Sequence, residues 1–274
     1  MLLPPLHKTE EHTALAIAAH PWTSNLFHAV FEMLSRVAIV HTAMQDDANI
    51  KLLLPAGTHS FSLALLELMG LGRERLVLID NPRRAYFART LLVPRGVFCG
   101  APMGGQLRYT RKQVTALKLL QLPQSEVRPT QDSVVFLRRS KCLSRHIANL
   151  DELIAVVRKE FPAWPTFVRQ DHGPSVLVPV REIVQLMQRA YLVVACHGSG
   201  LVNTLFARPG THVLEYLVRD PRGNGAACYA HSSALLQLRH RVVFPPALDT
   251  AAPGILHADL DEFRRQLREV LVPS

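Results

Sequence analysis

Ala190-Tyr-Leu-Val-Val-Ala-Cys196-His197-Gly198-Ser199-Gly200-Leu201-Val-Asn203-Thr-Leu-Phe206-Ala-Arg-Pro209-Gly210-Thr-His-Val-Leu-Glu215-Tyr216 contains a strand, a turn, a short helix and a second strand in quick succession. Tyr191 to Cys196 is an apolar, β-branched run closed by glycine, the pattern of a strand buried on both faces of a parallel sheet. Gly198-Ser199-Gly200 makes the turn. Leu201 to Ala207 reads as a short helix stopped by Arg208-Pro209-Gly210, and Thr211 to Glu215 as the next strand. A strand that feeds a helix through small residues directs backbone N–H groups and the positive helix end at one spot, which suits a phosphate. The plainer reading is that the glycines only permit a tight turn and that His197 is a satisfied core histidine. The spacing is not Gly-x-Gly-x-x-Gly and lies late in the chain, which argues against a Rossmann cofactor loop.

Outward from this stretch the chain keeps a β-α rhythm. Residues 1 to about 20 read as an irregular lead-in. Trp22-Thr-Ser-Asn25 offers capping chemistry before a predicted helix, Leu26 to Val40. Lys51–Pro55 and Arg75–Ile79 read as strands around a helix at Ser60–Leu68 that Gly70 ends, and Arg89–Val93 as a further strand. Gly96 to Gly105 is a loop, Tyr109 to Leu122 a predicted helix, and Pro123 to Pro129 a linker. The rhythm restarts with strands at Ser133–Leu137 and Thr166–Arg169, and helices at Asp151–Phe161 and Val180–Arg189. A helix at Cys228–Leu238, a strand at Arg241–Phe244 and a terminal helix at Leu260–Val270 follow. The expected division is an N-terminal α/β domain, 1–125, and a C-terminal α/β domain, 126–274, with the last helix reaching back onto the first.

Composition narrows the partners. The 274 residues are 48% hydrophobic, enough for a substantial core, and the formal charge of +9 favours anions. The positives are scattered, as at Arg83-Arg84 and Arg264-Arg265, and form no basic stripe of the kind a nucleic-acid reader carries. No nucleic acid partner is expected. Cys99, Cys142, Cys196 and Cys228 lack Cys-x-x-Cys spacing, so they are read as free thiols or up to two disulfides, with Cys196 an inert buried thiol. The first residues are no convincing signal peptide, and no apolar run reaches about 18 residues, so no membrane anchor is expected in this chain. That leaves a cytosolic protein or one whose targeting segment is missing.

Two clusters carry candidate chemistry. Arg138-Arg139-Ser-Lys-Cys142-Leu-Ser-Arg145 follows a predicted strand, and the carboxyl ends of strands are where open α/β sheets place ligands. Guanidinium forks match diphosphate oxygens and keep their charge, so such a loop stabilises a leaving nucleotide without a metal. On the first helix His28 and Glu32 stand four apart, with Arg36 a turn further on. Either side chain could take a proton in a cleft; the plainer readings are a solvated charged loop and a solvated helix ladder.

These residues also resemble a family. Phe136-Leu-Arg-Arg-Ser … Arg145-His-Ile-Ala-Asn149-Leu-Asp-Glu-Leu153 is similar to the Ser-Arg … Arg-x-Ile-x-Asn-Glu-x-Glu-Leu signature of glycosyltransferase family 61. His197, Gly198, Gly200, Leu201, Asn203, Phe206, Pro209, Gly210 and Glu215 resemble its His-Gly-Ala-Gly-Leu-Thr-Asn … Leu-Phe … Pro-Gly … Glu element. Asn25-Leu-Phe-His28 … Glu32 … Arg36 looks like its amino-terminal motif. Ser199, Val202, Ala29 and Leu150 depart from the family's Ala, Thr, aromatic residue and Glu.

The resemblance implies a GT-B-like α/β fold, two Rossmann-like domains facing a cleft. It implies an inverting, metal-independent transfer of GlcNAc, xylose or arabinose from a UDP-sugar to a hydroxyl of a protein or polysaccharide. It also implies the secretory pathway, Golgi or endoplasmic reticulum. The backbone from His197 through Ser199 to Leu201, with Arg139 or Arg145, would hold the diphosphate. Asn203 and Glu215 would contact nucleotide or sugar, and Glu32, then His28, would serve as base. No cofactor beyond the donor is expected, and no metal: Asp259-Leu-Asp261 sits at a predicted helix start, where carboxylates suit the helix dipole. The alternatives are a catalytically silent GT-B-fold protein that binds a glycan or other polyanion, and an oxidoreductase, which the missing early dinucleotide loop disfavours.

Overall fold

The computed structural model describes residues 8–19, 22–81, 84–94, 130–139, 146–170, 179–217, 227–245 and 255–272. The chain divides into two compact units, which hold the described residues up to 94 and from 130 onward respectively. The expected boundary at 125/126, the linker 123–129, the loop 96–105 and the helix 109–122 lie outside the described residues. Each unit is α/β with a parallel sheet, the secondary structure of a GT-B-like fold.

In the first unit β1 (Lys8–Ile17), β2 (Ile50–Pro55), β3 (Leu76–Ile79) and β4 (Arg84–Leu92) form a sheet in the order β3-β2-β1-β4, all parallel. β1 corrects the expectation of an irregular lead-in. Its first half is polar and pairs only with β4, Lys8 opposite Arg84 through His12 opposite Ala88, while Ala14 to Ile17 lie between β2 and β4. Only that second half carries a buried apolar pattern, with Ala14, Leu15 and Ala16 buried, so a local reading had four residues to work with.

The helix α1 (Leu26–Asp46) starts where Asn25 Oδ1 accepts the Phe27 N–H at 2.9 Å. It runs past the expected end at Val40. One wide π turn, Ala29–Met33, closes with the Leu34 N–H donating to the Ala29 carbonyl. α1 is long and apolar enough to cross a membrane by length and composition, with a mean hydropathy of 1.2, against the expectation from unbroken apolar runs. Because 67% of that window is buried and Phe31, Met33, Leu34, Val37 and Met44 are core residues, it has the packing of a core helix. α2 (Ser60–Leu68) has the expected bounds, and Gly70 at φ 78° supplies the left-handed residue that ends it.

In the second unit β5 (Ser133–Arg138), β7 (Thr166–Gln170), β8 (Ala190–Cys196), β9 (His212–Tyr216) and β10 (Arg239–Val243) form a parallel sheet in the order β10-β9-β8-β5-β7. A two-stranded element unforeseen from sequence pairs β6 (His146–Ile147) with β11 (Ile255–Leu256). Val134, Phe136, Leu192, Val194, Leu214 and Tyr216 alternate onto one sheet face. There they meet Leu153, Ile154 and Val157 of α3 (Leu150–Glu160) and Phe263, Leu267 and Leu271 of α6 (Leu260–Leu271). Each such side chain, fully buried, contributes roughly 1.5–3 kcal/mol. The last helix thus commits its apolar face to the core of its own unit. α4 (Val180–Arg189) buries Val180, Ile183, Val184 and Met187, the i, i+3, i+4, i+7 stripe that its sequence predicts. α5 (Ala227–Leu235) precedes β10.

Candidate functional site

In the second sheet the chain leaves β5 for β7 on one side, then returns to lay β8, β9 and β10 on the other. The direction reverses between β5 and β8, and ligands of open α/β sheets bind beyond the carboxyl ends of the strands at such a point. The residue after β5 is Arg139, and the residues after β8 are His197 and Gly198. Arg139 Nη1 donates to the His197 carbonyl at 3.0 Å. Gly198 is extended, φ 162°, and its function is space: a Cβ there would lie 2.2 Å from Arg139 Nη1. Arg139 Nε is buried without a partner among the described residues, a donor held ready beside the turn.

Beside it opens a small pocket lined among others by Arg138, Arg139, His146, Leu150, Asp151 and Cys196. Arg138 pairs with Asp151. Asn149 does not cap α3 with its side chain. Its amide instead donates to the Ala258 carbonyl and accepts the Ala258 N–H, both at 2.9 Å. Cys196 is buried and in no disulfide among the described residues; Cys99, Cys142 and the Cys228 side chain lie outside the described residues.

The turn after β8 is a 3-10 helix, Ser199–Phe206, which starts two residues before the predicted helix, ends one before it and is more tightly wound. The His197 N–H donates to the Tyr216 carbonyl at 2.8 Å and the Leu201 N–H to the Gly198 carbonyl at 3.0 Å, so those two amides serve the fold. Ser199 and Gly200, the first residues of the turn, have N–H groups with no partner inside the helix. Leu201 is buried at 1% exposure and presents its side chain to the core. Asn203 is also buried, and its Oδ1 has no partner among the described residues.

Glu215 on β9 lies under the turn with its side chain fully buried. One oxygen pairs with His197 Nδ1 and the other with His240 Nε2 at 2.8 Å. Burial pushes the carboxyl up, but the hydrogen bonds and charges of the two histidines together outweigh it, and it stays below its ordinary value. The edge of Tyr229 meets the His197 ring, centroids 5.5 Å apart. Glu215, expected to contact nucleotide or sugar, has both carboxylate oxygens paired with histidines.

The first sheet reverses between β1 and β4, and the segment after β1 leads into α1. His28 Nδ1 lies 3.1 Å from Glu32 Oε2; the Glu32 side chain is 0% exposed and that of His28 18%. The His28 ring is flanked by Trp22 and Phe27, with centroids 5.0 and 5.3 Å away. Arg36 anchors the segment by donating to the Ala19 carbonyl at 2.7 Å. Its burial lowers its pKa, and the Glu32 charge opposes that shift. The wide turn at Ala29–Met33 lies inside this motif, where such insertions often mark functional sites.

Arg145 lies outside the described residues. Among the described residues no three His, Cys, Asp or Glu side chains group as a metal site would require. Asp259 is the N-cap of α6, its Oδ1 accepting the Asp261 and Glu262 N–H groups at 2.8 and 3.0 Å. Sequence reasoning missed His240 and Ser233, which no motif includes, and it read Trp22 only as part of a capping stretch.

The family model described as Glycosyltransferase 61 matches residues 26–214. No curated protein matches the chain. Among solved structures, the E. coli heptosyltransferase WaaC with ADP is similar at 10% identity and a TM-score of 0.45, over 96% of this chain and 98% of that one.

Proposed function

The chain belongs to glycosyltransferase family 61, and from that premise we propose that it is an inverting transferase. It moves GlcNAc, xylose or arabinose from a UDP-sugar to a hydroxyl of a protein or polysaccharide in the secretory pathway. The observation that carries this reading is the junction of Arg139 with His197 and Gly198 at the reversal point of the second sheet. There Arg139, the N–H groups of Ser199 and Gly200, and His197 receive the diphosphate, and Asn203 Oδ1 accepts from the nucleotide. Fixed cationic donors neutralise the departing UDP, so no metal is required.

An inverting displacement needs a base at the attacking hydroxyl. The exposures favour His28 over Glu32: the ring is partly accessible, whereas the carboxylate is fully enclosed and better placed to hold it. His28 takes the acceptor proton as the acceptor oxygen bonds to the anomeric carbon and the bond from that carbon to the phosphate oxygen breaks. The pair resembles the base and orienter of hydrolytic triads in role.

A panel of nucleotide sugars tested by thermal shift decides the matter. A rise in Tm with a UDP-sugar, lost in Arg139→Ala, supports the reading. No response to any nucleotide, together with salt-sensitive binding of a polyanionic glycan, would replace it with the silent binding protein.

A further inference from the structure

The buried carboxylate of Glu215 has a second arm. Its Oε2 accepts from His240 Nε2 at 2.8 Å, and His240 Nδ1 faces Ser233 Oγ at 2.8 Å. The His240 side chain is 6% exposed and that of Glu215 0%. Ser233, on α5, is also buried. An ionised carboxylate only accepts, so each histidine must present an N–H to it. His197 is thereby fixed with its proton on Nδ1 and His240 with its proton on Nε2, and the Ser233 hydroxyl donates to the remaining His240 nitrogen. Neither His240 nor Ser233 belongs to the motifs that carry the family resemblance.

We propose that His240, fixed by Ser233, is a positioning residue for the transfer: through the shared carboxylate of Glu215 it sets the orientation and the tautomer of the His197 ring. The proposal rests on reading His197 as part of the diphosphate site. With Nδ1 committed to Glu215, Nε2 is the ring nitrogen left to face the nucleotide, and it donates to a phosphate oxygen when it too carries a proton. The groups that bear on this ring are Glu215 on β9, Tyr229 on α5, Arg139 after β5 through the His197 carbonyl, and His240 on β10 through Glu215. His240 competes for the carboxylate and so moderates its pull on the His197 proton. Removing that competitor, whether His240 is neutral or charged, leaves Glu215 to hold the proton more strongly. The structure so divides the labour: Arg139 is a permanent cation, and the His197 ring is held in place from the far side of Glu215.

The test uses the full chain and long-range nitrogen-15 NMR of its histidine rings, with His197→Asn assigning the signals. His240→Leu should move the His197 ring nitrogen signals and weaken UDP binding, measured by calorimetry, by on the order of tenfold, the size of one hydrogen bond to a charged group. His240→Gln, whose side-chain amide restores a donor to Glu215, should return both towards wild type. The pH profile of UDP binding should change together with the His197 signals. Unchanged His197 signals and tautomer in folded His240→Leu overturn the proposal. If that variant does not fold, Ser233→Ala deletes a single hydroxyl and takes its place: a shifted His197 signal supports the relay, and an unmoved one overturns it. UDP that fails to bind the wild-type chain at any pH overturns the nucleotide reading instead, a result the NMR comparison does not depend on.

Discussion

The guanidinium of Arg139 occupies the space that a side chain at Gly198 would need: an added Cβ would sit 2.2 Å from Nη1 and 2.9 Å from Cζ. The obstructing atoms are the end of a flexible side chain, and the extended backbone at Gly198 suits any residue. Gly198→Ala should therefore dislodge the arginine and leave the strand intact. Gly198→Ala and Arg139→Ala are each expected to lower kcat about a hundredfold, the scale of one lost transition-state donor, with unchanged circular dichroism. The double variant should be no worse than either single one, since both remove the same interaction. Additive losses would show that the two residues act separately.

For the first unit, His28→Ala is expected to lower kcat by about a hundredfold or more with UDP-sugar binding unchanged, as removal of a general base does. Glu32→Ala should act differently. It removes the carboxylate whose charge favours the buried Arg36 guanidinium, and so should lower the urea midpoint, besides loosening His28. A stable Glu32→Ala protein that retains full turnover would remove the pair from the mechanism.

Acid sensitivity has a specific origin in His212. Burial, with Arg239 and Arg241 nearby, brings its pKa down to about 4. Unfolded, it would titrate near its ordinary 6.5, so between these values the unfolded chain binds a proton that the folded chain refuses. Its contribution is fully present above pH 6.5 and declines as pH falls towards 4, by on the order of 3 kcal/mol across that window. Glu215, held below its ordinary value, adds a further loss only at lower pH. Urea midpoints for wild type and His212→Asn should converge as pH falls from 7 to 4 if this is the cause; parallel curves would place it elsewhere.

How far the sequence carried this picture depended on where each element's information resides. The second unit was legible because β5, β8 and β9 are apolar runs, and α4 and α6 carry complete helical stripes. β1 was not, since its polar half becomes a strand only by pairing with β4 some seventy residues away. The end of α1 was misplaced for a similar reason: Arg75 donates to the carbonyls of Met44, Asp47 and Ile50, a closure supplied from outside the helix. Arg139, His197 and Gly198 could be named because motif spacing reports them. His240 could not, because among the described residues it is tied to the site through the far oxygen of a buried carboxylate.

Asp259 offers a check on metal chemistry. As the cap of α6 it accepts two backbone N–H groups, which hold its carboxyl below the usual range. Asp259→Ala should lower the thermal midpoint and leave kcat untouched, and EDTA should leave turnover of the wild type unchanged. Loss of turnover on chelation, restored by a divalent cation, would require a metal in the mechanism.

The position of β1 has a practical consequence. The first described strand of the chain is an interior member of its sheet, with β2 on one side and β4 on the other. Trimming the opening twenty residues as a dispensable leader would part β4 from its neighbours and expose two raw hydrogen-bonding margins, an invitation to aggregate. Any shortened version meant for crystallisation or assay therefore has to begin upstream of Lys8.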